Sequence, residues 1–373
     1  MNERTLLFVI HIICVGIVAF TQLLLPNFTR KNLVLGVAIP EEALEDFKLK
    51  RLVREFRLVT ILVTLVTIIL SFGMAYLWNS SVRLLILWMV FGSFILFLPV
   101  IYYNRKIREW KAASGYQIQV KKRVADLSLS KQKLTYSGVN LWLYLIPLAI
   151  VAIGSIYILI NYDKIPDQIP MHYGASGEVD RYSQKSLFVA LYPTLVNLFL
   201  IGVIFVSNLF FLKAKQRVAI TDSEDSLRRL LIARKIWTYS FVATTTLTVL
   251  MMQGLSLTMV YNITNINPYM NWFWVIIVLI VVVQILVGLK VGNTGEKLPR
   301  QHGETLELFE DDDKYWIFGG SIYYNPDDPA VMVPKRVGLG STINLGTTVG
   351  KIVMLGLLLI IILSIVPLFF IPM

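Results

Sequence analysis

Cysteine is almost absent from this sequence. Among 373 residues only Cys14 is one, and it lies inside an apolar run. A lone embedded thiol excludes an internal disulfide framework, a cysteine zinc cluster and paired-thiol redox chemistry. Histidine is nearly as scarce, with His11, His172 and His302 far apart, and neither an H-E-x-x-H pair nor a G-x-S-x-G elbow occurs. The expectation is therefore a non-enzyme with no metal and no cofactor. Charge is thin as well: 16% of residues are charged, against roughly 25% in soluble domains. No Asp or Glu lies deep in an apolar run, which argues against an ion-coupled pump, because such groups are costly in a membrane and mark function there.

What is abundant is apolar sequence, 56% of the chain, gathered into runs of about 20 residues that can each cross a hydrocarbon layer roughly 30 Å thick. Eight spans are expected, at about Thr5–Leu25, Leu58–Trp78, Val82–Tyr103, Asn140–Asn161, Leu187–Leu212, Ile236–Tyr261, Tyr269–Lys290 and Gly350–Ile371. The first run is too long for a signal-peptide core and is read as a span. The fold class is an all-α integral membrane protein of about eight transmembrane helices, with a small β-rich cytoplasmic insertion before the last span. The segments are 1–139 (three spans and basic loops), 140–212 (spans four and five around a polar loop at 162–186), 213–290 (spans six and seven), 291–349 (the insertion) and 350–373 (the last span).

A net charge of +11 would suggest nucleic acid in a soluble protein. Here the basic residues fall in alternate connections instead. Arg51, Arg54 and Arg57, then Lys121, Lys122 and Arg123, then Arg228, Arg229 and Arg234 sit in one set of loops; of the alternate connections, "NSS" and "NITNINP" carry none and the polar loop carries Lys164, Arg181 and Lys185. That pattern places the basic loops inside, near anionic lipid, and both termini outside a bacterial plasma membrane. Membrane lipid is the expected partner and nucleic acid is not.

On the cytoplasmic side, Pro40 and the acids after it predict an amphipathic surface helix running into span two, with Leu44, Phe47, Leu52 and Phe56 on one face. Such a helix is either a connector or a lipid contact. Thr221 and Glu224 have capping-box spacing, and "YQIQVKK" alternates like a strand. In the insertion, Trp316–Phe318, Ile322–Tyr324 and Val331–Val333 read as short strands and "NPDDP" as a turn. "GLGSTINLG" lacks a Walker lysine and reads as a flexible lead into span eight. The acids from Glu310 to Asp313, with Asp327 and Asp328, lack the order of a calcium loop. Inside the spans, Gln22, Asn197, Asn208, Gln253, Gln284 and Thr244–Thr246 read as interhelical hydrogen-bonding groups.

The polar loop "IPMHYGASGEVDRYSQKS" (Ile169–Ser186) interrupts this apolar chain. Pro166 and Pro170 favour an extended lead-in, and Gly174 and Gly177 permit turns. Ser183 is placed to cap span five. Asp180 is positioned to pair with Arg181, Lys185 or His172. The candidate ligand-binding residues are Pro170, His172, Gly174, Gly177, Asp180, Arg181 and Lys185. The same loop is equally readable as a structured lid over spans four and five.

Two stretches carry a family resemblance. "DKIPDQIPMHYGASGEVDRYSQKS" resembles the extracytoplasmic motif of the bacterial membrane family that includes the Sdp toxin-immunity proteins, at Ile169, Pro170, His172, Gly174, Gly177, Asp180 and Lys185. "WIFGGSIYYNPDDPAVMVPKRVGLGSTINLG" resembles an uncharacterised cytoplasmic module often joined to it, with Tyr324, Asn325, Pro326, Asp328, Pro329, Pro334, Lys335 and Arg336 as the motif. The resemblance covers about 25 residues in the first stretch. It implies protection against, or sensing of, an extracellular membrane-active agent such as a peptide toxin, with a cytoplasmic regulator as a further partner. This chain departs from the immunity proteins in its length, its eight spans and its extra module. The alternatives are a transporter or flippase for a lipid-linked or amphipathic substrate, and a membrane enzyme working through the outer loop.

Overall fold

The computed structural model describes residues 3–25, 32–78, 81–116, 139–173, 179–215, 223–263, 266–301, 312–338 and 340–365. Of the strand expected at 116–122 only Tyr116 is among them; Thr221, His302, Glu310, Gly174 and Gly177 lie outside them, as does the side chain of Asp180. The described helices are α1 (Glu3–Leu23), α2 (Phe47–Phe72), α3 (Val82–Ile95), α4 (Leu98–Ala113), α5 (Leu145–Ile160), α6 (Leu187–Lys213), α7 (Ser223–Val260), α8 (Asn267–Val291) and α9 (Thr348–Ile365). Among the described residues, seven helical stretches are long and apolar enough to cross a membrane, with a shorter apolar helix from Thr348. α3 and α4 together make one of the seven, Leu84–Ala113. The chain is a multi-pass helical membrane protein. Helices dominate because a backbone without water must satisfy its polar groups within its own segment.

The ends of these helices follow from local chemistry. Asp46 accepts a 2.7 Å bond from the Lys48 amide and starts α2. The helix expected from Pro40 is therefore a correction: only a single 3₁₀ turn, Glu41–Ala43, precedes the cap. On α2 Phe47 is exposed while Leu49 and Phe56 are buried, so Phe47 does not share the face expected of it. α2 ends in a π-helical turn, Gly73–Leu77, whose glycine leaves room for the Trp78 ring. Ser186, not Ser183, caps α6, through a 3.2 Å bond from the Val189 amide. Ser183 sits in a strand.

Contacts divide the chain into two compact units, one of Met1–Glu3, Thr135–Leu212 and Arg234–Val287, the other of Arg4–Leu134, Lys213–Ala233 and Gly288–Met373. In the first, Tyr144, Val151, Ile201, Val242 and Val249 form one apolar layer. Polar locks interrupt the apolar packing: Thr238 donates to Asn208, which donates to the Tyr144 hydroxyl, and Gln284 donates to Ser240 and Thr244, both at 2.8 Å. These are the interhelical roles expected of Asn208 and Gln284. Thr245 and Thr246 instead bond back to carbonyls of their own helix.

In the second unit, β1 (Leu33–Val34) and β2 (Val37–Ala38) form a tight hairpin. Its two turn residues, Leu35 and Gly36, both have positive φ, the type I′ pattern. A side chain at Gly36 would sit 2.8 Å from Val337. Leu35, Val37 and Ile39 pack with Phe56, Val100 and Ile107 in the largest apolar core of the unit. Beside it lie two further pairs, β5 (Trp316–Ile317) with β6 (Ile322–Tyr323), and β7 (Met332–Pro334) with β8 (Ser341–Ile343). A parallel bridge between Tyr323 and Asn344 joins them. The three expected strands are present. β8 corrects the reading of "GLGSTINLG" as a flexible lead.

Candidate functional site

The polar loop between α5 and α6 is a built hairpin, β3 (Gln168–Tyr173) against β4 (Val179–Gln184), antiparallel, with register shifts around His172. Its base is fixed. Ile169 is fully buried with Ile158, Ile165, Ala190 and Val260, and the Lys185 amide donates to the Asp167 carbonyl at 2.7 Å. The Lys185 ammonium donates to the Ile165 carbonyl at 2.7 Å and lies over the Tyr162 ring. Lys185 thus closes the mouth of the loop, and Pro170 is buried beside Ile169. His172 and Arg181, in contrast, are exposed and opposite one another across the strands, next to the half-exposed Tyr182. Of the residues grouped from sequence, the structure brings His172 and Arg181 together at the surface and places Pro170 and Lys185 at the anchor. Asp180 contributes its backbone to β4.

The second motif is a clasp of buried polar groups. Arg336, 2% exposed, forms ion pairs with Asp312 and Asp313, donates to the Gly36 carbonyl at 2.9 Å and stacks on Trp316. Lys111 of α4 bonds Asp313 at 2.8 Å, and Arg108 donates to the Asp313 and Trp316 carbonyls. Burial alone would raise the Asp313 carboxyl, but Arg336 and Lys111 outweigh it and hold it below the usual range. Asp328 is also held low: burial raises it, and the Lys215 ammonium, 2.7 Å away, prevails. The Tyr323 hydroxyl donates to Asp328 at 3.0 Å, and burial is the main cause of its pKa of about 12. Burial lowers Lys335. Tyr324, Pro326 and Pro329 are exposed, while Asn325 and Pro334 are buried.

Asn344 is the hub that sequence reasoning missed. Its amide donates to the carbonyls of Asn325, Asp328 and Ala330 and accepts from the amides of Asn325 and Gly346. The "NPDDP" turn is therefore shaped from outside as well as by its own residues. The Asn-x-Gly spacing of "NLG" was the available signal, since an Asn side chain bonds a backbone amide two residues on. Asn293 was also missed. It exchanges two bonds with Gly340, at 2.7 and 2.8 Å, and so holds the turn between β7 and β8.

With this geometry in place, two family models match. Residues 149–196, which contain the hairpin, match DUF1648, a domain of unknown function. Residues 326–351, which contain Arg336 and Asn344, match DUF5808, a family of unknown function. No curated protein and no solved structure matches the chain. The chain is thus a multi-pass helical membrane protein carrying two stretches similar to uncharacterised families.

Proposed function

We propose that this protein is a bacterial plasma-membrane protein of the immunity or sensing type, responding to or protecting against an extracellular membrane-active agent such as a peptide toxin. The observation that supports this reading is the construction of the β3–β4 hairpin. Its base is locked by Ile169 and Lys185, while His172, Arg181 and Tyr182 stay at the surface. A fixed polar and aromatic ridge outside the membrane is a recognition surface of the kind loops on rigid scaffolds provide. Its two free edges differ. Pro170 removes an amide from the β3 edge. Pairing alternates from the Lys185–Asp167 bond, so Tyr182 and Gln184 turn their backbone groups to the β4 edge. An extended peptide pairs with such an edge. The Arg336 module would lie inside, as a brace of the inner face or a platform for a regulator.

A deletion strain challenged with a panel of membrane-active peptides tests this. Sensitivity to at least one should rise and be restored by the wild-type chain. The variants His172→Ala, Asp180→Ala and Arg181→Ala should reach the membrane at normal levels yet protect poorly. If all three protect like wild type, the hairpin is not the recognition surface.

A further inference from the structure

In the second unit the β5–β6 hairpin lies along α4, and contacts at its two ends set its direction. At the open end, Arg108 donates to the carbonyls of Asp313 and Trp316, and Lys111 bonds Asp313. At the tip, a side chain at Gly319 would lie 3.0 Å from the Ile101 Cα. Lys111 and Ile101 are about 15 Å apart along the helix axis. The hairpin therefore runs from the charged end of α4 toward its apolar end. Its tip is held there by close backbone packing. A side chain at Gly320 would lie 3.1 Å from the Gly36 Cα, and Asn104 donates to the Leu35 carbonyl at 2.6 Å.

The level of Ile101 is the edge of an apolar span. On one side of it the exposed residues are Phe91, Phe94, Leu98 and Tyr102, and on the other they are Arg105 and Glu109. α2 marks the same level independently, because the Phe56 and Tyr103 rings are 6.0 Å apart. Beside Phe56 the exposed residues change from Arg54 and Arg57 to Leu58, Ile61 and Leu62. At this depth the hairpin tip turns Trp316 and its glycines inward but leaves Ile317 49% and Phe318 61% exposed. Phe318 has a φ of +54°, a left-handed conformation that a bulky side chain rarely takes. Asparagine or glycine would hold this turn with less strain, so turn geometry alone does not account for the aromatic. One turn further out, the Lys106 ammonium lies 4.7 Å from the centre of the Tyr102 ring and Arg105 is exposed. Aromatic and basic side chains gather in this way at headgroup level.

We infer that the Ile317–Phe318 tip is a membrane anchor, which seats the β5–β8 module on the bilayer the chain spans and puts Phe318 at the boundary of headgroups and acyl chains beside α4. Lipid is the occupant of this apolar tip, because the tip adjoins the exposed apolar row of Phe94, Leu98 and Tyr102 at the depth where that row ends. The anchor is independent of what the β3–β4 hairpin recognises and of the side of the membrane on which the module lies.

The test uses the full chain with Cys14→Ser, in nanodiscs of phosphatidylcholine and phosphatidylglycerol. A nitroxide is attached at Phe318→Cys or, as the reference, at Tyr324→Cys. Tyr324 belongs to the open end of the hairpin, where its amide bonds the Tyr315 carbonyl. Collisions with oxygen, which concentrates among acyl chains, are compared with collisions with a water-soluble nickel chelate. The oxygen-to-nickel ratio at 318 should exceed that at 324 by at least about five-fold, as seating 5 to 10 Å into the interface implies. Equal ratios overturn the proposal. So does a label at 318 shielded from both reagents, the result that a partner protein or a second copy over the tip would give. A label at Ile317→Cys repeats the measurement with Phe318 intact, so that a distorted turn in the first variant does not decide the matter. Adding Phe318→Asn to that variant suits the backbone but removes the aromatic, and should lower the ratio at 317 at least about two-fold, since interfacial binding scales with buried apolar area. An unchanged ratio would assign the depth of the tip to its packing on α4 alone and overturn the anchoring role of Phe318.

Discussion

Arg336→Ala should destabilise the β5–β8 module by about 3 to 5 kcal/mol, the usual cost of stripping one partner from a buried ion pair. The guanidinium is the main positive group facing both Asp312 and Asp313, and it also satisfies the Gly36 carbonyl. With alanine in its place Lys111 still bonds Asp313, but the ion pairs that Arg336 makes with Asp312 and Asp313 are lost. Trp316, 1% exposed and stacked under the guanidinium, reports the change: its fluorescence should shift to the red and the module should become open to protease. A second substitution, Asp312→Asn, should restore part of the loss. Acid does a milder version of the same thing. Asp313 and Asp328 have folded-state pKa values below their unfolded ones. The stability they contribute is complete above the unfolded value, about pH 4, and is lost as pH falls through the folded values. Protease sensitivity of the module should therefore rise only below about pH 4.

Asn344→Leu should be nearly as damaging, although no charge is involved. The leucine fills similar volume but leaves the Asp328 and Ala330 carbonyls without their side-chain donor and two amides without their acceptor, while the Asn325 carbonyl keeps only the long 3.4 Å bond from the Asp328 amide. Each buried group left unmade costs about 1 to 3 kcal/mol. Partial relaxation toward water reduces the sum, and a loss of at least about 3 kcal/mol is expected in a thermal melt followed through Trp316. Asn344→Asp is the informative second variant. It keeps the acceptor and removes the three donations, so it should fall on the unstable side as well. The backbone leaves little slack here, for a side chain at Gly346 would meet the Asn325 backbone at 2.3 Å.

The transmembrane helices were legible because their signal is local: an apolar run of sufficient length has few other fates. Strands β5 to β7 were legible for a similar reason, since Gly319, Gly320 and the "NPDDP" turn mark their ends. The hairpin of β3 and β4 was not, and its loop was read only as having a defined shape. Pro170 in one strand and the charges in the other conceal the alternation, and what orders the pair is Ile169 in the helix core. The clasp was half legible. Arg336 and Asp328 stand out as a motif, but Lys111 meets Asp313 across 202 positions and Asn104 meets Leu35 across 69. No local pattern announces such pairs. Lys185 and His172 looked alike as candidates, and only the fold separates the anchor from the surface.

That the hairpin is an outward-facing surface is tested most directly by single-cysteine labelling. In a Cys14→Ser background, Tyr182→Cys and Tyr324→Cys place one thiol each at positions that are about half exposed, 49% and 46%. With a membrane-impermeant maleimide on intact cells, the cysteine at 182 should label at once, and the one at 324 only after permeabilisation. Labelling at 324 with protection at 182 would invert the topology and contradict the recognition role assigned to His172 and Arg181.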